Sequence, residues 1–153
     1  MQINRETDYA VRCVLYLCGR KDGAITMADE ISSAMNVPRS FASKILQKLS
    51  RAGIVASHQG VKGGFSIARA PRNISMLDIV TVIEGPLALN VCLESGESCG
   101  LSPSCPVHPY WHTLRTGVEE LFAELTFDRF LEDRLPGKPM PPRTPLRTKK
   151  TTK

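Results

Sequence analysis

The stretch NVPRSFASKILQKLSRAG, residues 36–53, decides the fold. Pro38 has a fixed φ and no N–H, so it suits the first position of a helix, and Gly53 suits the exit. Between them Phe41, Ile45, Leu49 and Ala52 form one stripe, with Ala42 and Leu46 beside it. The opposite face carries Ser40, Ser43, Lys44, Gln47 and Arg51, polar and without an acid. One face of such a helix packs and the other is free to meet a polyanion.

Upstream, TMADEISSAMN (26–36) reads as a short helix. Thr26 is the expected N-cap, Asp29 and Glu30 suit its first turn, and Met27, Ile31 and Met35 recur at i, i+4, i+8. Residues 9–18, YAVRCVLYLC, are apolar almost all round, as in a helix buried on several sides, and Lys21-Asp22-Gly23 breaks it. Downstream, Ile54–His58 and Gly64–Ala68 read as two short strands around the flexible tip GVKGG (60–64). Ser75 then caps a helix bearing Met76, Ile79, Val80 and Ile83, which Gly85-Pro86 ends. Two helices joined by the tight turn Asn36-Val37-Pro38, followed by a hairpin, are the order of a winged helix-turn-helix.

Charge supports the same partner. Residues 31–77 hold seven Lys/Arg (Arg39, Lys44, Lys48, Arg51, Lys62, Arg69, Arg72) and no acid, whereas residues 78–135 hold three bases and ten acids. In this frame Arg39 and Lys44 can read base edges, Ser40, Ser43 and Gln47 can donate to or accept from bases, and Lys48 suits phosphate. Lys62 charges the wing tip, Gly63 and Gly64 let its backbone pass close to a phosphate ridge, and Gln59 precedes it. His58 beside the wing is a further phosphate contact or an exposed side chain. The glycine-rich loop lies between strands rather than before a helix, which argues against a nucleotide cradle.

At 153 residues, 42% hydrophobic and 23% charged, the composition is that of a soluble globular protein. There is no apolar run of membrane-spanning length and no secretory leader pattern, so a cytoplasmic protein without a membrane partner is expected. No nucleophile–base pairing, phosphate loop or apolar carboxylate pair points to an enzyme or a small-molecule substrate.

Five cysteines in a reducing compartment point to metal or thiol chemistry rather than a disulfide scaffold. Cys13 and Cys18 lie within the apolar first helix and read as small core residues. Cys92, Cys99, Cys105 and His108 follow the spacing C-x6-C-x5-C-x2-H in a loop of Gly, Ser, Glu and Pro with little core to fill. Such a set suits zinc or an iron–sulfur cluster, and the wide spacing without a C-x2-C pair favours the cluster. His108 is the candidate fourth ligand, or else an N-cap before Pro109; His112, one turn on, reads as surface. Pro109 opens a helix in which Trp111, Leu114, Val118, Leu121 and Leu125 follow a heptad seam of about two heptads, or else the apolar face of a plain amphipathic helix.

The sequence resembles the iron–sulfur transcription regulators typified by IscR, NsrR and RirA. The resemblance is carried by Thr7–Arg12, by Val37–Phe41 through Gly53, by Gly60–Phe65 with Ala68–Pro71, and by Asp78–Val80 to Ile83–Gly85 ahead of the three cysteines. It covers about residues 1–134. It implies a dimer on double-stranded promoter DNA, with a long dimerisation helix and a cluster on Cys92, Cys99 and Cys105 that senses redox state, oxygen, nitric oxide or iron. IscR-like members add a histidine that maps onto His108 and hold 2Fe–2S. NsrR-like members add an acid of the partner subunit that maps onto Asp8 and hold 4Fe–4S. His108 and 2Fe–2S are preferred here. IscR has a glutamate where this chain has Ser43 and an arginine where it has Gln59, so operator sequences do not carry over.

The expected fold class is therefore mostly α with a small β-hairpin wing, a winged helix-turn-helix plus a long C-terminal dimerisation helix. The expected organisation is a DNA-binding domain over 1–86, a cluster-binding loop over 87–108, the dimerisation helix and a short terminal helix over 109–135, and a disordered basic tail over 136–153, with five prolines and six bases. Two rival functions stand on the same residues: a cluster-free thiol switch closing a Cys99–Cys105 or intersubunit disulfide, and a structural zinc protein used for assembly.

Overall fold

The computed structural model describes residues 3–21, 23–94 and 99–132. The expected tail over 136–153 and the end of the 109–135 segment lie outside them. Six helices and one two-stranded antiparallel hairpin follow in the order α1 (Arg5–Cys18), α2 (Ala28–Met35), α3 (Arg39–Arg51), β1 (Val55–His58), β2 (Gly64–Ile67), α4 (Met76–Glu84), α5 (His108–Glu124) and α6 (Phe127–Glu132). This is the winged helix-turn-helix arrangement. None of these helices is long and apolar enough to cross a membrane.

α1 starts earlier than its apolar run implies, because Asn4 caps it by accepting from the Thr7 N–H at 3.0 Å. Ala10, Cys13, Val14 and Leu17 are buried along one face, and Tyr9, Val11, Leu15 and Tyr16 are half-buried around it. α3 lays Ala42, Ile45, Leu46 and Leu49 into the same core. Phe41 departs from the expected stripe: it is 46% exposed and meets Tyr9 edge to face, ring centres 5.9 Å apart. At about 100° per residue Phe41 falls on the flank of the packed face, where a ring shields α1 without entering the core.

Pro38 is the N-cap of α3 rather than its first residue. The turn before it is held by Asn36 in the left-handed region (φ 50°), by the Val37 N–H on Ser32 O at 3.0 Å and by the Ser32 hydroxyl on Val37 O at 2.7 Å. Asn tolerates that φ better than most residues. Thr26 is not the cap of α2, a position taken by Met27 without a side-chain bond. Thr26 instead pairs with Phe65 through two backbone hydrogen bonds of 2.8 Å, so it works as a one-residue third strand on the wing. Two satisfied backbone groups at a buried position outweigh one cap that a solvated helix end can do without. Of the expected α2 stripe only Ile31 is buried; Met27 is exposed and Met35 half-buried.

The hairpin pairs Val55 with Ile67 through His58 with Gly64. A Cβ on Gly63 would be driven into the His58 carbonyl oxygen, and one on Gly64 into that of Thr26. The chain's own backbone therefore requires both glycines, whatever else approaches the wing. Gly53 leaves α3 at φ 67°, and Arg69, just past β2, donates to Ala52 O at 2.8 Å and Gly53 O at 3.0 Å. Those contacts tie the wing to the end of the recognition helix and satisfy its last carbonyls.

α4 begins with the expected cap, here a complete capping box: the Ser75 hydroxyl accepts from the Asp78 N–H, and the Asp78 carboxylate accepts from the Ser75 N–H at 2.7 Å. It ends at Gly85, φ 88°. After α5 the chain returns: Met76 N–H bonds Leu125 O at 2.8 Å, Phe127 N–H bonds Ile74 O at 3.0 Å, and the Phe127 ring is fully buried in the common core. Ser75→Ala is expected to lower unfolding stability by about 1 kcal/mol, and Arg69→Ala by about 1–2 kcal/mol through loss of charge-assisted bonds to helix-end carbonyls. Denaturant unfolding followed by circular dichroism measures both.

Candidate functional site

Two surfaces carry the chemistry. The first is the outer face of α3 with the wing. Arg39, Ser40, Lys44 and Gln47 are exposed on α3, Ser43 and Lys48 are half-exposed, and Gln59 and Lys62 are exposed beside and on the wing. The candidate DNA contacts on α3 and the wing are thus open to solvent to different degrees, with Gly63 and Gly64 at the root of the wing tip. Val61 beside Lys62 is almost fully exposed. His58 turns inward: its Nε2 lies 2.9 Å from the buried Ser66 hydroxyl, so it is neither a free surface group nor aimed at a ligand.

The acid-free stretch is not free of acids in three dimensions. Asp29 of α2 holds Arg39 at 2.6 Å, and Glu6 of α1 holds Lys48 at 2.6 Å. Two of the bases expected to meet DNA therefore already have carboxylate partners, whereas Lys44 and Lys62 form no ion pair among the described residues. From the sequence Asp29 reads only as a first-turn acid of α2 and nothing marks Glu6; both reach their bases through packing.

The second surface is a cavity of about 220 Å³ between the loop after α4 and the start of α5, lined by Asn90, Val91, Cys92, Cys99, Ser102, Cys105, His108 and Trp111. The chain brings all three spaced cysteines and the histidine to one place. A short 3-10 turn over Val91–Leu93, capped by the Asn90 side chain, presents Cys92, while Leu93 is buried as its anchor. His108 is the first residue of α5 rather than a cap; Val107 takes the cap position. Its Nδ1 is buried and has no hydrogen-bond partner. Among the described residues no group of three or more His, Cys, Asp or Glu side chains is gathered so as to hold a metal ion as it stands. Trp111, read from sequence as a seam residue, is a wall of this cavity, and Asn90 and Ser102 were not singled out at all.

Asp8 is exposed on α1, paired with Arg12 at 2.7 Å, and does not line the cavity of its own chain. All five cysteines are free thiols. Burial pushes the Cys13 and Cys18 thiols up to about 12, so both stay protonated and unreactive in the core. Cys92, Cys99 and Cys105 are only half-buried and open to the cavity.

α5 has no buried residue. Tyr110, Leu114, Leu121 and Leu125 are exposed along it, a run of apolar surface with no partner among the described residues of this chain.

Comparison with known proteins agrees with this architecture. Residues 3–133 match the Rrf2 family, described as iron-dependent transcriptional regulators. Protein aau3 of Rhizobium meliloti is 33% identical over 135 residues, 88% of this chain and 87% of that protein. Among solved structures, IscR of T. potens superposes with a TM-score of 0.68 at 22% identity, covering 87% of this chain and 88% of that one. CymR, the global cysteine regulator of B. subtilis, superposes with a TM-score of 0.67 at 23% identity, covering 86% of this chain and 97% of that one. At these identities the two structures establish the shared fold. With a family match across most of its length and the element order of a winged helix-turn-helix, the chain belongs to the Rrf2 family of transcriptional regulators.

Proposed function

We propose that this regulator binds promoter DNA as a homodimer and that an iron–sulfur cluster held at the cysteine cavity governs its affinity. The observation that carries the proposal is the cavity itself: three half-buried cysteines and a histidine with a buried, unpartnered ring nitrogen line one space at the root of α5. The donor chemistry fits such a group, since soft thiolates and imidazole are its ligands and an orphaned buried nitrogen is costly unless something occupies it. Cys92, Cys99, Cys105 and His108 would hold it, with 2Fe–2S preferred. Asp8, already tied to Arg12, is the alternative fourth ligand for 4Fe–4S in the partner subunit. When bound, a cluster would supply sensitivity to redox state, oxygen, nitric oxide or iron supply.

The chain's own residues then do the switching. Cys92, Cys99 and Cys105 belong to the 87–108 loop, and His108 begins α5, so holding the four together fixes the loop against the helix. Leu114, Leu121 and Leu125 of two copies would close over each other, and the angle of α5 would set the separation of the two recognition helices. On each, Arg39, Ser40, Ser43, Lys44 and Gln47 face the major groove, while Lys48 and Lys62 meet phosphate and Gln59, Gly63 and Gly64 shape the wing contact. Arg39 and Lys48 exchange Asp29 and Glu6 for DNA as they bind.

A second reading keeps the fold and replaces the cluster by a thiol switch between Cys99 and Cys105 or between subunits. The half-buried free thiols favour it, and the fold is shared with CymR, a cysteine regulator. Structural zinc is a third occupant of the same donors.

Protein purified without oxygen is expected to be brown, with charge-transfer bands in the visible spectrum that disappear in Cys92→Ser, Cys99→Ser and Cys105→Ser. Equal promoter affinity with and without the cluster would remove the gating. A colourless protein after attempted reconstitution, with a disulfide appearing on mild oxidation, would move the assignment to the thiol switch. For the interface, Leu114→Glu with Leu121→Glu is expected to convert a dimer to a monomer in analytical ultracentrifugation. For the DNA face, Lys62→Ala should reduce the salt slope of binding by about 1 and Lys44→Ala should relax specificity at one base position, whereas Asp29→Asn should tighten binding to a random duplex about 2–5-fold at low salt by releasing Arg39. Fluorescence anisotropy against salt concentration and against single-base operator variants reads all three.

A further inference from the structure

His108 has a partner at its second ring nitrogen, unlike at Nδ1. Its Nε2 lies 3.2 Å from Nε2 of His112, one turn along α5, and the two rings meet edge to face with centres 4.7 Å apart. The other nitrogen of His112, Nδ1, lies 3.5 Å from an Arg115 Nη2, and Glu119 stands 3.8 Å from Arg115 Nε. A guanidinium can only donate, so His112 Nδ1 accepts. Neutral His112 then carries its proton on Nε2 and donates to His108 Nε2. That leaves the His108 proton on Nδ1, the nitrogen that is buried without a partner.

We propose that His112, set by Arg115, is the positioning residue of His108: it turns the imidazole so that Nδ1 faces Cys92, Cys99 and Cys105, and it determines which nitrogen carries the proton. The proposal takes the cavity to be a cluster site, but the hydrogen-bond relay along α5 stands whatever occupies it. For Nδ1 to become a ligand the relay inverts. His108 gives its Nδ1 proton to water and takes the Nε2 proton of His112, and His112 takes one proton from water on Nδ1, where Arg115 must let go. No net proton is gained or lost. His108 Nε2–H then donates to His112 Nε2, the outer hydrogen bond that fixes a metal-bound histidine.

Long-range 1H–15N NMR of the full-length cluster-free protein with labelled histidine tests the relay directly. The expected result is His108 with its proton on Nδ1 and His112 with its proton on Nε2, and loss of that preference at His108 in His112→Ala. A proton on Nε2 of His108 in the unaltered protein, or a tautomer indifferent to His112→Ala, overturns the relay. In the reconstituted protein His112→Ala should shorten cluster retention about 10-fold, followed by loss of visible absorbance under argon. His112→Gln, whose amide oxygen can accept the same bond, should restore most of it. Retention unchanged in His112→Ala overturns the positioning role. If the unaltered protein takes up no cluster, the reading of the cavity fails, and the NMR result alone decides the relay.

Discussion

The burial of one narrow stripe of the recognition helix against α1 governs everything outside it. Ala42, Ile45, Leu46 and Leu49 are excluded from water, so the rotation of α3 about its axis is fixed and the opposite face can only point outward. A few side chains of about 2 kcal/mol each set that rotation more firmly than any surface contact can. The short turn through Asn36 and the bond between Ser32 and Val37 fix the exit from α2 into α3, and the grip of Arg69 on the end of α3 keeps the wing beside it. DNA recognition is thus a property of the core, expressed on the far side of a helix.

Electrostatics refine that picture. Along the sequence the segment from 31 to 77 is purely basic, yet the fold folds acids back onto it from α1 and α2. An exposed ion pair contributes little stability, so Glu6 and Asp29 are better understood through what they occupy. Each neutralises one base of the stretch. The free protein therefore presents less bare positive charge there than the sequence count implies, and Lys44 and Lys62 are among the bases of 31–77 with no carboxylate partner in the described residues.

What could be read from the sequence was what short-range chemistry decides. Ser75 as a cap, Gly53 and Gly85 as helix ends, the hairpin around Gly60–Gly64 and the core placement of Cys13 and Cys18 each depend on a few neighbouring residues, and each was legible. The gathering of Cys92, Cys99, Cys105 and His108 was legible too, because cysteines in a polar loop have no packing reason to be there. Thr26 was misread because its role is set by Phe65, far along the chain, whose backbone needed a partner. Phe41 was misplaced because Tyr9 offered it a ring to lean on. Trp111, His112 and the acids Glu6 and Asp29 gained their significance only from elements packed against them.

Phe127 gives the molecule a property its linear layout conceals. The 87–108 loop and α5 are inserted between the winged half and a plug for its own core, since the ring of Phe127 is fully buried in the common core and the bridge at Ser75–Thr126 ties it to the start of α4. α5 is therefore held at both ends, at the cysteine cavity and just downstream of the wing. The winged half is not a finished unit when cut away, because its last core side chain is delivered from beyond α5.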